Sequence, residues 1–239
     1  MASVTLAQEL APASVDFDQL HNDYGPFLKL VRELIGVIPN CDPYLEIWPI
    51  GFRSYNLLVP NLLNLPASII NQGAPKDLLG LGMYASSRAA GCMYCSAHTC
   101  SFALRRGLSP DALIGNMSEP ERAVVAVADG LGQVPSTLTA TDLAELRRHL
   151  SANDVEWIIL GIALMGFLNK FMDAMGIELE AEAIADVQDL IGQTGWTAGQ
   201  HQWDDQQVVP SNGTPPKDSI RTYLRIFSQG PRSARMESR

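Results

Sequence analysis

Between Ser151 and Gly176 the chain carries a segment whose middle, Ile158–Leu168, is apolar on every side. A helix of that kind has no polar face to offer water, so other elements must surround it. At 11 residues the apolar run is short of the roughly 20 that cross a bilayer. The segment therefore predicts a central, buried helix, and Ser151-Ala-Asn-Asp154 supplies its N-terminal cap.

The flanking sequence predicts the helices that would cover it. Apolar residues recur at helical spacing from Phe17 to Ile38, and Asn40-Cys-Asp-Pro43 reads as a stop followed by a start. Pro49, Pro60 and Pro66 break the apolar stretch 44–70 into short helices and argue against strands. Pro75-Lys-Asp opens a helix that runs to about Ala90. Gly91 interrupts, and Cys92–Arg106 reads as the next helix, ending at Gly107. Ser118-Glu-Pro-Glu121 is a capping box for another. Further helices are expected over 141–150, from Ser151 to about Met175, and over 179–193. Thr194–Pro216 is linker by composition, and 217–228 a short outlying helix. The expected class is all-α and multi-helical. Its expected organisation is an extension with one helix (1–40), a helical domain (41–193) and a C-terminal linker, short helix and basic tail (194–239).

A weak internal repeat appears at a shift of 77 residues, which lays Asp77 over Asp154 and Cys92 over Asn169. Net charge is −9, which disfavours a nucleic-acid partner. Residues 217–239 carry six basic and two acidic side chains, a local +4 that reads as a solvated tail. The first residues show neither a basic region nor an apolar core of a signal peptide. Three of the four cysteines crowd between Cys92 and Cys100 rather than spreading as a disulfide framework. A reduced, cytoplasmic, membrane-free protein is the expectation.

The chemistry concentrates in Gly91-Cys92-Met-Tyr94-Cys95-Ser-Ala-His98-Thr-Cys100. Residues three apart on a helix bring two sulfurs together, and the positive helix start favours a thiolate. An imidazole on the next turn can carry protons, and Arg88 could favour the thiolate if the helix continued through Gly91. Two other readings stand beside this redox pair. The cysteines can be small core residues. They can also be metal ligands, though no second Cys/His cluster accompanies them. No nucleotide loop is present, and no cofactor or metal is expected.

The stretch Ser86–Ser109, with Gly-Cys-x-Tyr-Cys-x-x-His and then Gly-Leu-Ser, resembles the carboxymuconolactone decarboxylase-like superfamily, within it the alkylhydroperoxidase D type. Ser118–Ala128 and Leu164–Gly176 look like its peroxidase-related branch, and the resemblance spans about residues 45–190. It implies an all-helical fold with an internal repeat, a homo-oligomer (dimer, trimer or hexamer), and a thiol peroxidase cycle. In that cycle Cys95 would attack the hydroperoxide, Cys92 would resolve the sulfenic acid as a disulfide, His98 would relay protons, and an external dithiol would reset the pair.

Two departures bear on this. The family's relay glutamate falls on Gly80, and the histidine stands three rather than four residues after Cys95, with Thr99 in the fourth place. Glu156 and Asp173 are candidate replacements for the carboxylate. Asn169, in the place of Cys92 in the repeat, is a candidate to face the site, and Tyr94 is a candidate support. Trp48, Trp157, Trp196 and Trp203 are candidates to line a pocket. Besides the peroxidase, two alternatives follow. One is a decarboxylase-like lyase or isomerase acting on an organic acid, with His98 as acid and base. The other is a non-catalytic oligomer with a structural or sensing disulfide.

Overall fold

The computed structural model describes residues 51–64 and 73–202, with parts of 21–42. Its helices are α1 (Gly51–Leu62), α2 (Lys76–Ala89), α3 (Met93–Arg105), α4 (Pro110–Leu113), α5 (Glu119–Gly132), α6 (Ala140–His149), α7 (Ala152–Met175) and α8 (Ala181–Ile191). Two 3-10 turns, Gly192–Thr194 and Gly199–His201, follow. No strand occurs among the described residues, so the all-α expectation holds. The positions described between 21 and 32 are helical, as their periodicity predicts. The expected helix over 217–228 lies outside the described residues.

Local chemistry sets the boundaries. Ser118 N donates to Glu121 Oε2 at 2.6 Å, closing the capping box of α5. Asp154 N donates to Ser151 Oγ at 3.2 Å at the start of α7, and Gly176 ends that helix at φ 58°. Gly91, at φ +77°, lets the chain leave α2 and begin α3 two residues later. Cys92 N closes the turn by donating to Ser87 O at 3.1 Å, the long bond of a Schellman ending.

α2, and not α7 as its apolar run predicts, lies at the centre, packed on α3, α5 and α7; α7 is covered on one side only and leaves Leu160 and Phe167 exposed. Glycines allow these crossings. A Cβ on Gly80 would stand 2.7 Å from Ala103 Cα, so α2 and α3 touch backbone to backbone there. α7 is apolar enough in length and composition to cross a membrane, yet half of its most apolar window is buried by this fold. The repeat has a structural limit: α2 breaks at Gly91, whereas α7 runs unbroken through the matching Leu168. Residues 194–202 differ from the linker reading. Trp196 and His201 are buried, and Leu179 N donates to His201 O at 2.8 Å, so the chain folds back over α3.

Candidate active site

Cys92 is the N-cap of α3, and its Sγ accepts from Cys95 N at 3.4 Å. The pair therefore sits at the positive end of a 13-residue helix, both thiols unbridged and buried. Two polar clusters flank it.

The first is built on Glu180, the N-cap of α8. Its carboxylate accepts from Tyr94 Oη at 2.8 Å and from the Asn40 amide, and its Oε2 lies 2.8 Å from His98 Nε2. Asn40 Nδ2 also donates to Glu178 O at 2.9 Å, which ties the N-terminal turn to the same strap. His98 thus has a carboxylate partner, supplied 100 residues downstream of Gly80. Thr99, in the alternative histidine position, donates to Cys95 O at 2.6 Å and only braces the helix.

The second cluster is Asp173 and His201. His201 Nε2 lies 3.0 Å from Asp173 Oδ1, and His201 Nδ1 lies 2.6 Å from Ile177 O. Cys92 Sγ, an Asp173 carboxylate oxygen and a His201 ring nitrogen all fall within 4.8 Å of one another. A thiolate, an imidazole and a carboxylate so spaced could also hold a divalent ion of the zinc type. The Tyr94 ring stands between the two histidines, its centroid 4.6 Å from His98 and 5.7 Å from His201.

These contacts separate the two sulfurs. The hydrogen bond from Cys95 draws the Cys92 thiol down against the effect of burial. With help from His201, it reaches about 7. Burial pushes the Cys95 thiol well above its ordinary value, and its bond to Cys92 adds to this. Burial opposes a charge on His201, but the hydrogen bonds to Asp173, Cys92 and the Ile177 carbonyl outweigh it and lift the ring to about 9. Between those values a Cys92 thiolate faces a His201 imidazolium. Cys100 is pushed up to about 12 by burial, and burial likewise raises Cys41.

Cys92, Cys95, His98 and Tyr94 are brought together as the sequence suggested. Arg88 is not: it is exposed and reaches the Tyr84 ring, 5.7 Å from the centroid, because Gly91 ends its helix before Cys92. Glu156 is exposed near the start of α7, about 25 Å of helix from Asp173, and cannot serve His98. Asn169 is buried on α7, one turn before Asp173. Trp196 Nε1 donates to Ser96 Oγ at 2.8 Å and pins the returning chain to α3. Trp157 lines a separate small cleft with Arg106. Trp48 and Trp203 lie outside the described residues. Sequence reasoning passed over Glu180 and His201. The one signal for His201 is a histidine and a tryptophan in an otherwise small, polar stretch.

No family model and no curated protein matches the chain. Solved structures do. The apo debrominase Bmp8 is 24% identical, with a TM-score of 0.64 over 75% of this chain and 98% of its own. A cysteine-to-alanine variant of that debrominase, solved with 2,3,4-tribromopyrrole, is 22% identical, with a TM-score of 0.64 over 76% and 98%. An alkylhydroperoxidase D core, an uncharacterized peroxidase-related protein from Ralstonia eutropha, is 20% identical, with a TM-score of 0.59 over 72% and 93%. The chain thus shares the all-helical fold of the debrominase and of the alkylhydroperoxidase D core.

Proposed function

We propose that this chain is a thiol-dependent oxidoreductase that passes two electrons from the Cys92/Cys95 pair to a small hydroperoxide. One observation carries the reading: Cys92 Sγ lies against the Asp173–His201 pair, with Cys95 at its back. This reverses the roles that the family resemblance implies. The Cys92 thiolate attacks the distal oxygen of the hydroperoxide. An S–O bond forms, the O–O bond breaks, and the alkoxide leaves as the alcohol with a proton from His201. Cys95 then loses its proton toward His98 and Glu180 and attacks Cys92 Sγ. The S–S bond forms, the S–O bond breaks, and the hydroxide takes up the proton that Cys95 released and leaves as water. An external dithiol returns both electrons.

The likeness to a debrominase supports a second electrophile for the same pair. There a carbon–bromine bond would take the two electrons and a proton, giving a carbon–hydrogen bond, bromide and the same disulfide. The homo-oligomer belongs to the proposal too; α7 leaves Leu160 and Phe167 exposed for a partner surface.

The test is dithiol-dependent consumption of cumene hydroperoxide, with and without a chelator. The account expects turnover that resists the chelator and is lost in both Cys92→Ser and Cys95→Ser. A lyase reading expects turnover of an organic acid that survives both substitutions and is lost in His98→Ala. Chelator-sensitive turnover would move the chemistry to a metal at Cys92, Asp173 and His201.

A further inference from the structure

Ten residues of α7 are buried, and Asn169 is the polar one among them. It is 3% exposed, and neither its Nδ2 nor its Oδ1 has a hydrogen-bond partner. Its buried neighbours on the helix are Met165, Leu168 and Met172. An apolar side chain would suit that setting without leaving two polar atoms desolvated. An orphaned buried amide in a folded chain has a free donor and a free acceptor to offer a ligand.

Its place indicates where such a ligand binds. Asn169 precedes Asp173 by one helical turn, about 40° around and about 6 Å along α7. Asp173 is the residue by which α7 reaches His201 and Cys92. The carboxamide is therefore on the flank of the helix that serves the thiols. A second site residue has the same unmet need: His98 Nδ1 is buried and unpaired, although Nε2 is held by Glu180.

We propose that Asn169 is a substrate-binding residue whose carboxamide takes the –O–OH head of a small organic hydroperoxide and presents it to Cys92. The amide offers a donor and an acceptor side by side. Nδ2 donates to one oxygen, and Oδ1 accepts the terminal O–H. An ether or a dialkyl peroxide can use only half of this arrangement, so the site selects hydroperoxides over them. The proposal rests on the thiol-oxidoreductase reading of the same site.

The experiment compares wild type with Asn169→Leu. The expected result is a loss of about 10- to 100-fold in kcat/KM for cumene hydroperoxide, chiefly through KM. Alkylation of Cys92 by iodoacetamide should be unchanged. Unaltered kcat/KM would overturn the proposal. So would an equal loss in alkylation, which would make Asn169 a support of the thiol. A binding measurement independent of turnover accompanies it. The Cys92→Ser protein, with 15N-labelled asparagine, is titrated with cumyl alcohol, and the Asn169 side-chain NH2 resonance should shift saturably. That shift without any wild-type turnover would sink the peroxidase reading and leave Asn169 as a ligand site. Absence of the shift would overturn the Asn169 proposal even if turnover is found.

Discussion

Replacing His201 with glutamine removes the ring that Cys92 and Asp173 share while keeping a polar side chain of similar reach. The size of the effect follows from the thiol. A Cys92 thiol at about 7 is about half thiolate at pH 7, whereas an ordinary thiol at 9.0 is about 1% thiolate. Complete loss of the stabilisation would thus cost about 50-fold in thiolate at pH 7. His201→Gln does not remove all of it, because the hydrogen bond from Cys95 is the larger contribution and remains. The expected loss is about 5- to 20-fold. The sign is fixed: with less stabilisation of the anion, the alkylation curve moves to higher pH. The assay is iodoacetamide labelling from pH 5 to 10, with Cys92 read by peptide mass spectrometry so that Cys41, Cys95 and Cys100 do not contribute. Wild type should rise with a midpoint near 7, and the variant should lag at pH 7 and catch up by about pH 10. An unmoved midpoint would refute the role of His201. A variant slower at every pH would show that His201 controls access rather than acidity.

Two further perturbations test the frame around the thiols. Glu180→Gln keeps the shape of the hub that holds Tyr94, His98 and Asn40 but removes its charge. Disulfide formation after oxidation should slow by about 10²-fold or more, as for a lost acid–base group, while Cys92 alkylation keeps its midpoint. Rapid-quench mass spectrometry reads the first and labelling the second. Gly80→Ala places a Cβ 2.7 Å from Ala103 Cα. Overpacking of about 1–3 kcal/mol should outweigh the helix-propensity gain of about 1 kcal/mol and lower the Tm in a thermal melt.

The Gly80 contact explains what was and was not legible in the sequence. Helices announced by caps were readable because their signals are local. Ser118/Glu121 and Ser151/Asp154 fixed the starts of α5 and α7 to within a residue, whereas the apolar run of α7 overstated its burial, since α2 is the central helix and Leu160 and Phe167 are exposed. The thiol pair and His98 were readable because they fall within seven residues of one another on one helix. The carboxylate was not. A glutamate at position 80 would push α2 off α3, so the charge comes instead from Glu180, which is adjacent only after α8 folds back. His201 was hidden for the same reason. It lies 109 residues from Cys92, in a stretch whose glycines and glutamines read as linker, and long-range packing of Trp196 and Leu179 brings it home. Arg88 and Glu156 show the converse. Each had a plausible charge at a plausible distance along the chain. A single glycine turn, or the length of one helix, put each out of reach.

The central claim is that Cys92, and not Cys95, takes the oxygen. The most direct measurement oxidises Cys95→Ser and Cys92→Ser with one equivalent of cumene hydroperoxide in the presence of dimedone and locates the adduct by mass spectrometry. The account predicts a sulfenic acid trapped on Cys92 in Cys95→Ser, and little on Cys95 in Cys92→Ser. An adduct on Cys95 in Cys92→Ser, with Cys92 unmodified in the other variant, would contradict it.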